Sequence, residues 1–392
     1  MQQEYKNRQR ILYVGPIGWN WIQECIPRDM HVSFLELKHI LHHLLSFRVL
    51  YFLCLNLCRD FIYVIQHPKS LIRFSILDAQ DQDLILSCSD NWPWLQSYAS
   101  RRDSPVVLVQ NATRKCKDRE GHFSNTIPIY CAWGDLEEQI FQSCGITIKD
   151  FHPVGSVKLG IAYERFQNIP ETKNHDLVFI SQFRPTAGFL DRDADSNALD
   201  SQINSCQRRS FELLRDFAER NDRQITILSK TRGPEDYPLE INYFTELANG
   251  LDFNYIEGDK DERDFSTYFS CFSSKLIITL NSSLGFELLA AGKKVLFCGA
   301  GIQNFIDHFD VRPYFDSLPR EVKLETATSE NFRRKVRGLE ALSDADVQQL
   351  IAEPAKLIVN FSATHLTHYR VRQIIVDSLS SPAASTTTTI SS

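Results

Sequence analysis

Short apolar runs alternate with helical patterns along the first part of the chain. Runs of strand length, several of them followed by turn-forming residues, are ILYVG (11–15), HVSFLEL (31–37, a strand or a helix start), LILSCS (84–89), VVLVQN (106–111) and IPIYCAWG (127–134). Helical patterns such as DLEEQIFQSCG separate them. Strands separated by helices predict a parallel sheet that is covered by helices on both faces.

A second alternation of the same kind follows residue 175. Its predicted strands are DLVFIS (176–181), ITILSK (225–230), FNYIE (253–257), LIITL (276–280) and KVLFC (294–298). Residues 191–202 read as a polar, acidic loop, and residues 208–220 as a helix with one apolar face. From about residue 327 to 379 the pattern is helical throughout.

The two alternations predict an α/β protein with two Rossmann-type parallel-sheet domains facing a central cleft. We expect the first domain to span residues 1–160 and the second residues 170–360, with IPETKNHD (169–176) as the linker. A C-terminal helix is expected over 361–379, and the low-complexity residues 380–392 are expected to be a disordered tail.

Composition and charge exclude several classes of protein. The net charge of −6 argues against broad nucleic-acid binding, which needs a basic face. None of the ten cysteines forms a CxxC pair, so we expect free buried thiols in a reducing cytosol and no metal site. The start of the chain lacks the apolar core of a signal peptide, which also favours a cytoplasmic protein.

One stretch, residues 44–65, is strongly apolar. Arg48 and Arg59 leave ten uncharged residues between them, about half of what a membrane-spanning helix requires. Two interpretations remain: a buried or half-buried helix, or a surface that touches lipid and places the protein at the inner face of the membrane.

The segment LIITLNSSLGFELLAAGKKVLF (276–297) indicates a binding site at the end of a strand. Ligands of open parallel sheets bind beyond the carboxyl ends of the strands, and the free N–H groups of a following helix favour an anion. Gly285 would let a phosphate approach the backbone, and Glu287 near the helix start would accept hydrogen bonds from a ribose. A capped helix that packs on a sheet without any ligand is the alternative.

Four segments in order resemble a known family. LILSCSDNWPWLQSY, VVLVQNATR, DLVFISQFR and LIITLNSSLGFELLAAGKKVLF resemble the bacterial surface carbohydrate biosynthesis proteins, which are GT-B-type glycosyltransferases. Related elements occur in Kdo transferases and in CDP-glycerol glycerophosphotransferases. The likeness covers roughly residues 84–300. Two departures are Ala112, where the family has glycine, and Asn281, where an acid is common.

The resemblance implies a role for each domain. The first domain would present the acceptor and the second would hold the nucleotide-sugar donor. Expected donor-binding residues are Ser181, Gln182, Arg184, Lys230, Arg232, Ser282, Ser283, Gly285 and Glu287. Expected acceptor-binding residues are Asn91, Gln110, Asn111 and Arg114, with Asp90 as the catalytic carboxylate. Asp90 has a second interpretation, as the cap of the helix that starts near Pro93.

The function expected from the resemblance is metal-independent transfer of a sugar from a nucleotide sugar to a surface polysaccharide or lipid-linked glycan, with no cofactor. An alditol-phosphate transferase or a sugar-nucleotide epimerase of the same fold is the alternative in the enzyme class. A non-catalytic relative that binds a nucleotide sugar or a glycan is the alternative outside it. His365 and His368 have the spacing of a helical metal pair, but a third ligand is not evident.

Overall fold

The computed structural model describes most of the chain. The described residues are 9–35, 46–60, 67–80, 82–102, 105–113, 126–167, 175–185, 194–229, 235–258, 264–302, 305 and 311–380. Arg114, Lys230, Arg232 and residues 381–392 of the predicted tail lie outside these ranges, whereas Ser380 belongs to the last helix.

The first sheet has six parallel strands in the order β2-β1-β3-β4-β5-β6. Their bounds are β1 Arg10–Val14, β2 His31–Leu35, β3 Leu84–Ser87, β4 Val106–Val109, β5 Thr126–Ala132 and β6 Thr147–Pro153. Every residue of β3 and β4 is buried. Central parallel strands are covered on both faces, which explains why they read as continuous apolar runs in the sequence.

The second sheet has five parallel strands in the order β11-β10-β7-β8-β9. Their bounds are β7 His175–Ile180, β8 Ile225–Leu228, β9 Phe253–Ile256, β10 Ser274–Thr279 and β11 Val295–Phe297. All five were expected from their apolar runs. The two parallel sheets confirm the predicted α/β architecture.

Helices connect the strands and cover both sheets. In the first part of the chain these are α1 Trp19–Ile22, α2 Phe47–Arg59, α3 Pro68–Ala79, α4 Pro93–Arg101, α5 Leu136–Ser143 and α6 Val157–Phe166. The second part contains α7 Ala194–Arg220, α8 Tyr237–Ala248, α9 Ser266–Phe272, α10 Ser283–Ala290, α11 Arg312–Ser317, α12 Ser329–Ala341, α13 Asp344–Ile358 and α14 Thr367–Ser380. The expected loop over 191–202 is wrong from Ala194 onward, because α7 already begins there.

The C-terminal helices return to the first domain. The Arg370 guanidinium donates to the carbonyls of Val154 and Pro153 at 2.9 and 2.7 Å, and the Asn360 amide N–H donates to Trp133 O at 2.7 Å. One buried apolar cluster accordingly runs from the first sheet through α6 and α14 into the second sheet. Strands β1 to β6 lie within residues 1–160 and β7 to β11 within residues 170–360, whereas α14 packs on the first sheet's side; the domain boundaries stay a prediction.

Helix α2 lies within the apolar stretch 44–65 and is half-buried, with Val49 in the core and the opposite face exposed. Phe47 is 90% exposed and Tyr51 is 61% exposed. Two of the cysteines expected to be buried, Cys54 and Cys58, are also exposed on this helix. Within the described ranges, no helix is both long enough and apolar enough to cross a bilayer.

Candidate nucleotide-sugar site

The predicted donor segments meet at the carboxyl edge of the second sheet. Strands β7 and β10 are neighbours, with Ile180 opposite Thr279. The loops that follow them are joined by a hydrogen bond from the Asn281 N–H to Gln182 Oε1 at 3.2 Å. The sequence therefore located both segments at the same edge, as parallel strands require.

The start of α10 leaves two backbone amides open. The Ser282 N–H donates to Thr279 Oγ1 at 3.2 Å, and the Gly285 N–H donates to Ser282 O at 2.9 Å. For Ser283 and Leu284, the part of the chain that the structure describes supplies no acceptor to the N–H group, and both residues are partly exposed. Open amides at a helix start attract an anion.

Gly285 has a different role from the one expected. It is buried, and a Cβ atom at this position would lie 2.8 Å from Thr279 Cγ2 and 3.2 Å from Phe297 Cε1. The missing side chain points at the sheet and not toward an anion in front of the helix. Gly285 therefore lets α10 pack closely on β10 and β11.

Glu287 lies in the second turn of α10, and its side chain is buried at 2% exposure. Its Oε1 accepts a hydrogen bond from Ser156 Oγ, across from the second domain to the first. Ser156 is also the N-cap of α6, where its Oγ accepts from the Leu159 N–H at 3.3 Å. A contact between Glu287 and a ribose would require this pair to rearrange, so that role stays a prediction.

Gln207 of α7 organises the loop after β7. Its Oε1 accepts from the Gln182 N–H and from Ser181 Oγ. Ser181 is 1% exposed, which leaves its hydroxyl inside the loop, whereas Gln182 and Arg184 are partly exposed at the edge. Of these three predicted donor-binding residues, Gln182 and Arg184 are accessible enough to contact a donor.

A pair of hydroxyls links the two domains at the cleft. Ser283 Oγ lies 2.8 Å from Thr113 Oγ1 and accepts from the Thr113 N–H at 3.2 Å. Thr113 follows β4 at the carboxyl edge of the first sheet and is partly exposed, as are Asn111 and Ala112. The edges of the two sheets thus face each other directly at the open amides of α10.

Asp90 follows β3 at the same edge of the first sheet, and it is only 2% exposed. Tyr130 donates its hydroxyl hydrogen to Asp90 Oδ2 at 2.8 Å, and the Gln96 side-chain amide donates to the Asp90 carbonyl at 2.6 Å. Asp90 does not cap α4, whose N-cap is Trp92. The catalytic role of Asp90 stays a prediction, and its carboxylate is firmly oriented.

The predicted acceptor residues differ in accessibility. Gln110 is buried, and its side chain is bonded to Glu137 Oε1 at 2.8 Å, Ala112 O at 3.0 Å and the Trp133 N–H at 2.7 Å. Asn111 donates to Cys88 O at 2.7 Å. Asn91, in contrast, is exposed. Gln110 is consequently a structural residue here, and Asn91 is the predicted residue best placed to meet an acceptor.

Several residues that organise the site were not singled out from the sequence. They are Thr113, Tyr130, Glu137, Ser156, Gln207 and Tyr314. Tyr314 donates to the buried Glu137 carboxylate from the other domain. Only Ser156 carried a local signal, because serine before the apolar helix VKLGIA is a typical N-cap.

The thiols of Cys88 and Cys131, near the edge of the first sheet, are buried and unreactive. Burial raises the pKa values of Cys88 and Cys131 well above the ordinary range, so both stay protonated at neutral pH.

The His365–His368 pair is not on one helix face, because α14 begins at Thr367 and His365 precedes it. Burial also lowers the pKa of His368, against the opposing effect of Glu164.

The chain is similar to known proteins both in part of its sequence and in its fold. A family model described as "putative O-antigen biosynthesis protein" matches residues 147–310, which is less than half of the chain. The matched range contains both donor segments of the second sheet. A search of curated proteins found no match.

Solved structures of UDP-GlcNAc 2-epimerases have a similar fold. The enzyme from Methanocaldococcus jannaschii, in complex with UDP-GlcNAc and UDP, is 12% identical with a TM-score of 0.54, covering 94% of this chain and 99% of its own. The enzyme from Neisseria meningitidis, bound to UDP-GlcNAc, is also 12% identical with a TM-score of 0.51, covering 95% and 99%.

The solved structures show the fold of this chain, and the family match shows a resemblance. The two Rossmann-like domains with parallel sheets form a GT-B-type fold. The family match supports the expected likeness to surface-carbohydrate biosynthesis proteins. It gives no support to the expected kinship with Kdo transferases or CDP-glycerol glycerophosphotransferases. The chain is therefore a GT-B-type protein that resembles proteins of O-antigen biosynthesis.

Proposed function

We propose that this protein is a glycosyltransferase that moves a sugar from a nucleotide-sugar donor to a cell-surface polysaccharide or lipid-linked glycan. One observation carries the proposal: the open amides of Ser283 and Leu284 lie at the start of α10, opposite Thr113 of the other domain. A diphosphate leaving group is an anion of the kind that such amides bind. The match to an O-antigen biosynthesis family over the same segment supports the polysaccharide context.

The proposed reaction uses the two sheet edges for different tasks. The acceptor hydroxyl attacks the anomeric carbon, the bond from that carbon to the phosphate oxygen breaks, and the nucleotide leaves with the bonding electrons. Amides of α10 and the partly exposed Arg184 stabilise the negative charge that develops on the leaving phosphate. Asp90, oriented by Tyr130, takes the proton from the acceptor hydroxyl, which requires its buried carboxylate to become accessible when the acceptor binds.

The amide at position 283 can be removed without removing the helix. Ser283 is the first residue of α10, a position that tolerates proline, and the preceding Ser282 already has the extended conformation that proline requires. Ser283→Pro should weaken donor binding about tenfold or more, since hydrogen bonds to charged groups contribute about 1.5–3 kcal/mol. Ser283→Ala, which keeps the N–H group, is the matched control and should lose less.

Binding is measured by thermal shift with CMP-, UDP-, GDP- and CDP-linked sugars, and turnover by product analysis with the stabilising donor. We expect one donor to stabilise the wild type, and Asp90→Asn to keep that binding while losing turnover. Equal donor affinity in Ser283→Pro and wild type would show that the Ser283 N–H does not bind the donor. Release of an epimeric nucleotide sugar would indicate the epimerase alternative, and binding without any product a non-catalytic relative.

A further inference from the structure

Helix α2 exposes an apolar face, while its inward face carries two buried polar residues beside the buried Val49. At 100° per residue, Asn56 and Asp60 fall on the face turned toward the protein, and both are buried. The opposite face is exposed and apolar over its whole length, and consists of Phe47, Leu50, Tyr51, Cys54, Leu55, Leu57 and Cys58. A helix on the surface of a soluble protein ordinarily exposes polar and charged residues on this outer face.

The inward polar residues are fixed by Arg102. Its Nη2 donates to Asn56 Oδ1 at 2.8 Å and to Asp60 Oδ2 at 3.0 Å. Its Nε donates to Asp78 of α3 at 3.2 Å. This network holds the orientation of α2, because turning the helix over would bury Phe47 at the cost of separating the Asp60 carboxylate from its partner. The apolar face is therefore held outward.

The charged residues beside this apolar face indicate which kind of surface it binds. Arg48 and Arg59 are exposed and lie on one flank, about 20° apart around the helix axis at 100° per residue. The helix itself carries no acidic residue between Phe47 and Arg59. The whole chain has a net charge of −6, so this basic flank is a local feature. Two arginines beside an apolar stripe fit an anionic surface.

The size of the face favours a bilayer over a second copy of the chain. With 13 residues, α2 is about 20 Å long, and one face about 10 Å wide covers roughly 200 Å². A stable protein interface buries about 800 Å² on each partner. A helix that lies in the headgroup region needs only its own apolar face to be covered.

We propose that α2 docks this protein onto an anionic lipid bilayer. The helix axis lies along the membrane surface, the large apolar side chains enter the boundary between headgroups and acyl chains, and the two arginines contact lipid phosphates. Docking is a property of this surface and does not depend on the reaction proposed above. It would hold the first domain beside any acceptor that is anchored in the same bilayer.

Flotation of the full-length protein with lipid vesicles tests the proposal. The vesicles contain phosphatidylcholine alone or phosphatidylcholine with phosphatidylglycerol, and we expect flotation chiefly with the anionic mixture. The double variant Leu50→Ser/Tyr51→Ser should lower the vesicle partition coefficient about tenfold or more, because two large apolar groups no longer leave water. The matched control Leu239→Ser/Ile241→Ser removes two exposed apolar side chains from α8 of the second domain and should float as the wild type does.

A second pair of substitutions tests the charges. Arg48→Gln/Arg59→Gln should reduce the difference between anionic and neutral vesicles while leaving the fold intact by circular dichroism. No flotation of the wild type, or equal flotation of the α2 and α8 variants, would overturn the proposal. A wild-type dimer that only the α2 variant converts to a monomer, without vesicle binding, would identify a self-association surface instead. Nucleotide-sugar binding is measured without vesicles, so failure of one proposal leaves the other measurable.

Discussion

At Gly285 the backbone of α10 approaches the sheet more closely than a side chain at this position would allow. A Cβ atom there would lie 2.8 Å from Thr279 Cγ2 and 3.2 Å from Phe297 Cε1, closer than packed carbon atoms normally lie. Thr279 and Phe297 are fully buried in β10 and β11 and have little room to move. The glycine thus fixes the distance from helix to sheet, and with it the position of the open amides of Ser283 and Leu284 just before it.

Gly285→Ala should destabilise the protein by about 1–3 kcal/mol because it overpacks this contact. Gly338 of α12 provides the control, since it is also helical but a Cβ there would meet nothing within 4 Å. Gly338→Ala should instead stabilise by up to about 1 kcal/mol through helix propensity. Urea denaturation measures both changes, and stabilisation by both substitutions would contradict the packing argument.

The sequence placed these residues at the correct turn but did not give the direction of each side chain. Successive helix positions rotate by about 100°, so Gly285 and Glu287 point roughly 200° apart. The first faces the sheet and the second faces Ser156 of the other domain. The rotation of a helix about its axis is set by tertiary packing, which a motif does not encode.

The N-cap residues Ser343 and Ser156 differ in burial and in the number of groups that they bind. Ser343 caps α13 at the surface, where its Oγ accepts from the Asp346 N–H at 3.1 Å. Ser156 caps α6 in the interior and in addition donates to the buried Glu287 carboxylate. The interior cap therefore joins two helices that belong to different domains.

Ser343→Ala should cost about 1 kcal/mol of unfolding free energy, the usual value of an exposed cap. Ser156→Ala should cost more, about 2–4 kcal/mol, because it removes a hydrogen bond to a buried carboxylate in addition to the cap. Both variants are compared by urea denaturation. Equal losses would mean that the Ser156–Glu287 hydrogen bond does not contribute to stability.

The elements that could be predicted are those with a strong local signal. Buried parallel strands such as β3 and β10 could be recognised in the sequence as apolar runs. The N-terminal part of α7 did not, because residues 194–202 are mostly polar and lack an apolar stripe. The orientation of α2 was open for a different reason: its inward face depends on Arg102, more than forty residues away.

On the scale of the whole molecule, the two domains are joined a second time by residues 357–371. Gly134 and Gly155 permit this contact, since a Cβ at either position would lie within 3 Å of the Leu357 or Asn360 carbonyl oxygen. Arg370 then bonds to backbone carbonyls more than 200 residues earlier in the chain. Because every residue has a carbonyl, the sequence contains no pattern that could have predicted these partners.

Arg370 should therefore contribute strongly to the coupling of the two domains. Its Nη1 donates to Val154 O at 2.9 Å and Asn360 O at 3.1 Å, and its Nη2 donates to Pro153 O at 2.7 Å. Burial lowers the pKa of this guanidinium, but it remains charged at neutral pH. Arg370→Met removes all three bonds and should lower the free energy of unfolding by about 2–4 kcal/mol.

Arg370→Lys tests the geometry of the same contact. Lysine keeps the charge but not the planar fork that reaches three carbonyls, so it should recover only part of the loss. Arg337→Met, at an exposed position of α12, is the control and should change stability by less than about 0.5 kcal/mol. If urea denaturation finds Arg370→Met as stable as this control, the return of the C-terminal helices rests on apolar packing alone, and the hydrogen bonds only set its register.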